Sequence, residues 1–335
     1  MGRGGTAGSL LPCRPPPVPL VRVDVSSPLE AGARKEVLAL LRDAQEVDGF
    51  PGLSERARLG IEEGAPLGAI SLLARVGDDA LAGFASLGVR EGTWTIETVV
   101  RPERRDDAAD VLGALLDAAL GEVGARGGGP VHAWLRADRS RGAEEMAARG
   151  LQPARELQQL RAPLAPEAVR DASSPPIPVR PFRPGRDEEA WLEVNARAFG
   201  GHPEQGSWTR EDLLRREREP WFDPGGFLLH EVGGRLAGFC WTKVHRSPVL
   251  GEIYVIGVDP DFQGRGLGRA LTRAGLGHLA TRAVPTAMLY VEATNVPALV
   301  LYRSLGFTEH HREVQFSGAV TPGAQADAPT ARPIP

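Results

Sequence analysis

Three short segments of the sequence recur about 155 to 158 positions further along the chain. LAGF at residues 81–84 returns at 236–239, VVRP at 99–102 corresponds to GVDP at 257–260, and RGL at 149–151 corresponds to LGF at 305–307. A nearly constant offset over three matches indicates duplication of one structural unit. We therefore expect two copies of one architecture, and 335 residues are enough for two domains with cores of their own.

Periodicity predicts the same kinds of element in both copies. Apolar residues at helical spacing indicate helices at 33–47, 54–61, 108–123, 141–149, 188–199 and 210–217. Short β-branched or alternating runs indicate strands at 67–76, 81–89, 93–100, 131–135, 227–232, 235–244 and 252–258. The predicted fold class is α/β, with two tandem domains that are each a twisted mixed β-sheet flanked by helices on both faces.

Composition marks the borders of the two copies. Residues 1–20 contain five prolines, which is typical of a disordered lead-in and unlike a secretory signal. Prolines at 163, 166, 175, 176 and 178 indicate a linker over 162–179. We expect the first domain at 21–161, the second at 180–316, and a disordered tail at 317–335 that is rich in alanine, proline, glycine and threonine.

The second copy contains a strand followed by a glycine-rich loop. Residues 253–258 are apolar, 259–260 are Asp-Pro, and 263–268 read QGRGLG before a helix. Gly257 interrupts the strand, which suggests a bulge or a place where another molecule lies against the backbone. Loop N–H groups and a helix N-terminus together form a cradle for an anion such as pyrophosphate.

The spacing of this loop excludes one phosphate-binding motif and weakens another. A Walker loop ends in Gly-Lys-Ser/Thr, whereas Gly268 is followed by Arg269 and alanine. A dinucleotide fingerprint needs G-x-G-x-x-G and the loop reads G-x-G-x-G, although Glu292 lies roughly where an acidic ribose ligand would. A glycine-rich strand-to-helix turn without a ligand also remains open.

The motif Q-x-x-G-x-G after a strand ending in V-D-P resembles the pyrophosphate loop of the GCN5-related N-acetyltransferase (GNAT) family. The pattern N-x-x-A-x-x-x-Y-x-x-x-G-F from Asn295 to Phe307 resembles the helix that closes the site of that family. The resemblance implies two GNAT-type domains and acetyl-CoA as co-substrate, with no metal. It implies acetyl-CoA contacts from Ile256, Gly257, Val258, Gln263, Gly264, Arg265, Gly266, Leu267, Gly268, Arg269, Asn295, Val296, Pro297, Ala298, Leu299 and Val300.

Four further segments resemble the tandem branch of that family that forms mycothiol. They are HPEQG at 202–206, WFDP at 221–224, WTKVH at 241–245 and GEIYV at 251–255. The branch acetylates the cysteinyl amine of the thiol disaccharide Cys-GlcN-Ins. The resemblance implies substrate contacts from Glu55 in the first copy and from Glu204, Lys243, Glu252 and Tyr290 in the second. Taken alone, Lys243 also fits an exposed strand residue and Glu204 a surface loop.

Two residues are predicted to move protons. An α-amine with a pKa of about 7.7 to 8.0 is partly free base at neutral pH, so a mild general base is enough. Glu252 begins the strand beside the thioester site and can accept that proton, directly or through water. Tyr302 lies where the family pattern places a phenol near the departing sulfur. A structural salt bridge for Glu252 and a packed aromatic for Tyr302 are the alternatives.

The two copies differ in the residues of this loop. Where the second copy has Gly264, Gly266 and Gly268, the first has Asp106, Ala108 and Asp110, and Met146 stands where the second has Tyr302. A carboxylate within ~4 Å of a phosphate costs of order 1 kcal/mol or more. We therefore expect the first copy to be non-catalytic and to support the second.

Composition indicates which partners and which cellular compartment to expect. A net charge of −4 and a pI near 6.0 give no general attraction for nucleic acid, and no stretch approaches the ~20 apolar residues of a membrane span. Two cysteines, Cys13 and Cys240, fit a reducing cytoplasm. The histidines show no metal-ligand spacing, and we expect a monomer. An acetyltransferase for another small amine and a non-catalytic acetyl-CoA-binding regulator remain the alternative functions.

Overall fold

The computed structural model describes residues 21–63, 69–77, 80–90, 92–105, 108–136, 140–164, 176–200, 205–246 and 248–323. Several sequence predictions lie wholly or partly outside these residues: the lead-in at 1–20, residues 165–175 of the linker expected at 162–179, residues 324–335 of the tail expected at 317–335, Glu204 and Asp106. At Asp110 the structure describes the backbone without the side chain.

The first copy begins with a strand and ends with one. Its elements are β1 (Val21–Ser26), α1 (Ala31–Asp48), α2 (Glu55–Glu63), β2 (Ile70–Val76), β3 (Ala80–Arg90), β4 (Thr93–Val100), α3 (Ala108–Ala125), β5 (Gly129–Arg136), α4 (Ser140–Ala148) and β6 (Gln152–Pro163).

The second copy repeats this order. Its elements are β7 (Arg180–Pro181), α5 (Glu188–Ala198), α6 (Arg210–Glu217), β8 (Phe227–Val232), β9 (Arg235–Arg246), β10 (Val249–Val258), α7 (Leu267–Thr281), β11 (Thr286–Glu292), α8 (Val296–Ser304) and β12 (Thr308–Val320). The repeated LAGF segments occupy equivalent places in β3 and β9, which pair with β4 and β10. The predicted fold class, two tandem mixed α/β units, is confirmed.

The two copies share one continuous sheet of twelve strands. Its order is β1-β2-β3-β4-β5-β12-β6-β11-β10-β9-β8-β7. The last strand of each copy lies in the half built by the other, because β12 pairs with β5 and β6 pairs with β11. β12 and β6 also pair with each other, antiparallel, at the centre of the sheet. The copies are therefore joined by a reciprocal exchange of strands.

This exchange shifts two of the predicted borders. Strand β6 continues to Pro163, past the start of the linker expected at 162, and β12 continues to Val320, past the start of the tail expected at 317. Neither strand was predicted, because both are rich in polar residues and lack the alternation of a half-buried strand. Each is held by hydrogen bonds to strands on both sides.

Helices cover both faces of the sheet in each copy. In β2, Leu72 packs with residues of α3 and α4, whereas Leu73 packs with α1 and α2. In β9, Cys240 packs with α7 and α8, whereas Trp241 packs in an aromatic cluster with α5 and α6. Trp241 stacks on Phe227 with ring centroids 4.2 Å apart, and such pairs add ~0.5–1.5 kcal/mol beyond the burial of area. Among the described residues, no helix is long and apolar enough to cross a membrane.

Candidate active site

A cavity of about 900 Å³ opens between the two copies. The first copy lines it with α2 and with the ends of β4 and β5, and the second lines it with α6, β9, β10 and β11. Four of the predicted substrate residues line this cavity together, namely Glu55, Lys243, Glu252 and Tyr290. They are up to 235 positions apart in the chain, so the tertiary structure alone brings them into one site.

Glu55 joins the two copies through a buried ionic cluster. Its carboxylate accepts hydrogen bonds from Lys243 Nζ and Tyr254 Oη, and Arg216 Nε lies 3.4 Å from Oε2. Burial raises the pKa of the Glu55 carboxyl, but the charges of Lys243 and Arg216 outweigh burial and leave that pKa below its ordinary value. Glu55 is therefore ionised at neutral pH and fixes α2 against the second copy.

Lys243 is buried, which corrects the alternative of an exposed strand residue. Its side chain is 10% exposed, and Nζ lies 4.2 Å from the centroid of the Trp221 ring and 5.1 Å from that of Tyr254. Trp221 belongs to the segment WFDP, so the structure explains this motif as part of the wall around the ammonium. An ammonium over aromatic faces is stabilised by ~0.5–2 kcal/mol.

Glu252 lies directly opposite Lys243 in the β9–β10 ladder. It is 7% exposed, and its Oε2 lies 2.7 Å from Nε2 of His245. The sequence analysis did not predict His245 as a site residue. Its position could have indicated such a role, because residues two apart on a strand share one face and Lys243 was predicted to contact the substrate.

Tyr290 is held by strand β6 of the first copy. Gln159, which is fully buried, donates a hydrogen bond of 2.8 Å from Nε2 to the phenol, and Arg161 donates one of 2.8 Å to Gln159 Oε1. Burial raises the pKa of the Tyr290 phenol, and the charges of Glu313 and Glu252 raise it further. Tyr290 therefore stays protonated at neutral pH and can donate a hydrogen bond to a ligand.

The gap between β10 and β11 opens beside Glu252. These parallel strands pair only through Gly251–Ala287 and Glu252–Met288, so the described part of β10 beyond Glu252 has no partner strand on that side. Backbone N–H and C=O groups along this edge are available to a ligand that enters the gap.

Gly257 does not form the strand bulge that the sequence suggested. The irregularity in the β9–β10 ladder falls between Ile253 and Val255, three residues earlier than expected. A Cβ at position 257 would lie 2.8 Å from two ring carbons of Phe239. The glycine is therefore required by the packing of Phe239, and no bulge forms there.

Two of the three loop glycines have the backbone conformation of an anion cradle. Gly264 and Gly266 have φ angles of +75° and +78°, and a Cβ at either position would lie more than 4 Å from the other heavy atoms of the described residues. Gly266 caps the N-terminus of α7, whose first N–H groups have no helical acceptor. Gly268 already lies inside the helix, where a Cβ would make an ordinary contact of 3.7 Å with Leu301, so local packing does not require a glycine there. Gly264 and Gly266 therefore leave the backbone of this loop accessible at the N-terminus of α7.

Helix α8 follows β11 and carries the remaining predicted contacts. Asn295 caps it by accepting a hydrogen bond from the Ala298 N–H, and the exposed side chains of Val296 and Val300 lie one turn apart. Tyr302 on this helix is buried and packs with Phe307 in the cluster beneath α7. Burial raises the pKa of its phenol, and the neighbouring Cys240 raises it further. Tyr302 thus lies on the opposite face of the sheet from Glu252 and outside the lining of the cavity.

The corresponding turn of the first copy is tied to its own helix α1. Arg105 makes two hydrogen bonds to Asp48, of 2.6 and 2.8 Å, and a third to the Val100 carbonyl. In the second copy the equivalent Gln263 also donates to the equivalent carbonyl, that of Val258, at 3.1 Å. Both copies therefore keep a hydrogen bond from this side chain to the carbonyl of the preceding strand. They differ in that Arg105 of the first copy also forms an ion pair with Asp48.

Known proteins resemble the chain along both copies. A sequence profile of the Acetyltransferase (GNAT) family matches residues 189–307. The mycothiol acetyltransferase of Thermobispora bispora is 46% identical over 301 residues, which cover 88% of this chain and 99% of that protein. The chain belongs to the mycothiol acetyltransferase family. The family member from Streptomyces griseus is 44% identical over 312 residues, covering 90% of this chain and 97% of that protein.

Solved structures agree on the fold. A GCN5-related N-acetyltransferase from Sphaerobacter thermophilus superposes with a TM-score of 0.66 at 24% identity, covering 90% of this chain and 96% of the other. A tandem GNAT protein of the clavulanic acid biosynthesis pathway also gives 0.66, at 16% identity, covering 90% and 99%. Both structures align with about 90% of this mycothiol acetyltransferase family member, so they share the fold of both copies.

Proposed function

We propose that this protein transfers the acetyl group of acetyl-CoA to the cysteinyl amine of Cys-GlcN-Ins and so forms mycothiol. The observation that carries the proposal is the match to proteins named mycothiol acetyltransferase, at 42–46% identity along both copies. The cavity supports it, because four residues implied by the family resemblance line one space between the copies.

Acetyl-CoA is assigned to the second copy. The pyrophosphate would lie over the backbone N–H groups of residues 263–269, where the open glycine loop has room for it. The pantetheine would run along residues 256–258 of β10 and enter the gap beside β11, and helix residues 295–300 would contact its other side. This path brings the thioester to the place where Glu252 begins the gap.

The thiol disaccharide is assigned to the cavity. Lys243 and Tyr290 can donate hydrogen bonds to hydroxyl groups, and the carboxylates of Glu55 and Glu252 can accept them or bind an ammonium. Glu204 is kept as a further ligand because the family resemblance implies it. Since Glu55 comes from the first copy, that copy contributes to the site even without a second catalytic centre.

Glu252 is assigned as the general base and Tyr302 as the general acid. Glu252 takes a proton from the amine nitrogen, the nitrogen attacks the carbonyl carbon, and the C–S bond then breaks. The gap between β10 and β11 interrupts the sheet, so a thiolate that departs there can take a proton from the Tyr302 phenol, which lies on the face opposite Glu252. The proton taken by Glu252 is released to water, and a proton from water restores the phenol. Backbone N–H groups along the edge of β10 that faces the gap would stabilise the oxyanion.

The test is turnover of purified protein with acetyl-CoA and a panel of amines, followed as free CoA and as acetylated product by mass spectrometry. Cys-GlcN-Ins should be the preferred amine, and Glu252→Gln should lower kcat by ~10² or more, as loss of a general base does. Preference for another amine would favour the first alternative, and no turnover with any amine would favour the regulator. Cells that lack the protein should accumulate Cys-GlcN-Ins and contain no mycothiol.

A further inference from the structure

The imidazole of His245 lies against the carboxylate of Glu252 inside the cavity. The distance from Nε2 to Oε2 is 2.7 Å, and the two side chains are 18% and 9% exposed. Lys243 faces Glu252 across the β9–β10 ladder, and His245 follows two residues later on the same strand. All three side chains therefore project from one face of the sheet.

We propose that His245 is a positioning residue for the general base. Its Nε2–H donates to one oxygen of Glu252 and holds the carboxylate in the rotamer that leaves the other oxygen for the amine. The inference rests on the proposed function of this cavity. It requires a proton on Nε2 of His245, because an ionised carboxylate can only accept.

The energetics favour such a support. A general base must lie within about 2.6–3.2 Å of the proton donor, and a displacement of ~1 Å can cost ~10²-fold in rate. An unsupported glutamate has several rotamers, and fixing one of them costs conformational entropy. A hydrogen bond to the carboxylate, provided by the protein before substrate binds, removes this cost from the reaction.

The other charged and titratable groups around this pair have contacts of their own. Lys243 is engaged by Glu55, and the Tyr290 phenol accepts from Gln159. Glu313, on β12, contacts His311 at 3.3 Å. His245 therefore supplies the hydrogen bond that the structure describes for the Glu252 carboxylate.

The experiment measures kcat and acetyl-CoA affinity for matched variants. His245→Ala should lower kcat ~10- to 100-fold and leave the acetyl-CoA Kd, measured by calorimetry, unchanged. His245→Gln should recover most of the rate, because its amide Nε2 can donate from nearly the same place. His310→Ala is the control, since His310 is exposed and does not line the cavity, and it should retain the wild-type rate.

A double substitution tests whether His245 acts through Glu252 or has a role of its own. If His245 acts only through Glu252, His245→Ala should have no further effect on kcat in the Glu252→Gln background. An equal penalty in both backgrounds, or a wild-type rate in His245→Ala, would overturn the proposal.

A spectroscopic measurement does not depend on turnover. The ¹⁵N chemical shifts of the His245 ring should indicate the Nε2–H form in the wild type and should change in Glu252→Ala. Unchanged shifts would overturn the pairing. Absence of wild-type turnover with Cys-GlcN-Ins would instead refute the proposed function, so the two failures are distinguishable.

Discussion

Substitution of Gly266 tests the acetyl-CoA loop most directly. Gly266 has a φ of +78° at the N-terminus of α7, in open space. Aspartate and asparagine have nearly the same shape, and both tolerate left-handed backbone better than other residues. Gly266→Asp and Gly266→Asn therefore introduce similar strain and bulk, and they differ by one negative charge at the proposed pyrophosphate site.

The expected difference follows from Coulomb's law. Two unit charges ~4 Å apart repel by about 1 kcal/mol in bulk water and about 4 kcal/mol at an effective dielectric of 20. Because Gly266 is exposed, the lower part of this range applies, and we take ~1–2 kcal/mol. Acetyl-CoA should therefore bind about 5- to 30-fold more weakly to Gly266→Asp than to Gly266→Asn.

The assay is calorimetric titration of wild type and both variants with acetyl-CoA at low and high salt. The difference between the variants should shrink at high salt, because exposed charges are screened. Equal affinity of the two variants would refute the pyrophosphate assignment. Because acetyl-CoA is assigned to the second copy alone, turnover at acetyl-CoA concentrations below the Kd should fall in Gly266→Asp by the same factor as the affinity. Unchanged turnover under these conditions, with the weaker binding confirmed, would mean that the first copy is catalytic.

Three further predictions concern single side chains. Lys243→Met should lower the free energy of unfolding by roughly 3 kcal/mol at pH 7, because Glu55 keeps a buried charge without its main partner. The pKa of Glu55 in the folded protein lies below the ordinary value of 4.5, so this loss of stability should shrink as the pH falls below 4.5. Thermal unfolding at pH 7 and at a pH below 4.5 measures the change. Burial and the neighbouring Glu188 raise the pKa of Glu217 to about 7, so the ionised carboxylate destabilises the folded state above that pH. Glu217→Gln should therefore raise Tm more at pH 8 than at pH 5, and an equal rise at the two pH values would contradict this explanation. Tyr302→Phe should lower kcat by ~10²-fold with acetyl-CoA affinity nearly intact, and a wild-type kcat would exclude the phenol as the acid.

The sequence predicted the elements whose patterns are local. The strand 93–100 and the helix 210–217 have the bounds observed for β4 and α6, and the loop at 263–268 leads into α7 as expected. Hydrophobic periodicity and a capping residue such as Thr209 act within a few residues, so they can be read without the fold.

The strands β6 and β12 were not predicted because their stability comes from partners. Gln158, Gln159 and Gln315 are buried polar residues, which a sequence pattern associates with the surface. They are accommodated because each strand is paired on both sides and, at Gln159, because Tyr290 accepts the side-chain hydrogen bond. The hydrogen bonds that stabilise β6 and β12 depend on strands of the other copy, so the residues of these two segments alone do not predict them.

The amino-acid sequence was enough to predict a duplicated α/β protein with one glycine-rich loop before a helix, because repeats, periodicity and turn residues are properties of nearby positions. The structure was needed to show that the last strands are exchanged, that Glu55 contacts Lys243, and that His245 contacts Glu252. These contacts join residues whose separation in the chain carries no information about distance. They form because the strand exchange holds the two copies in one sheet and leaves a cavity between them.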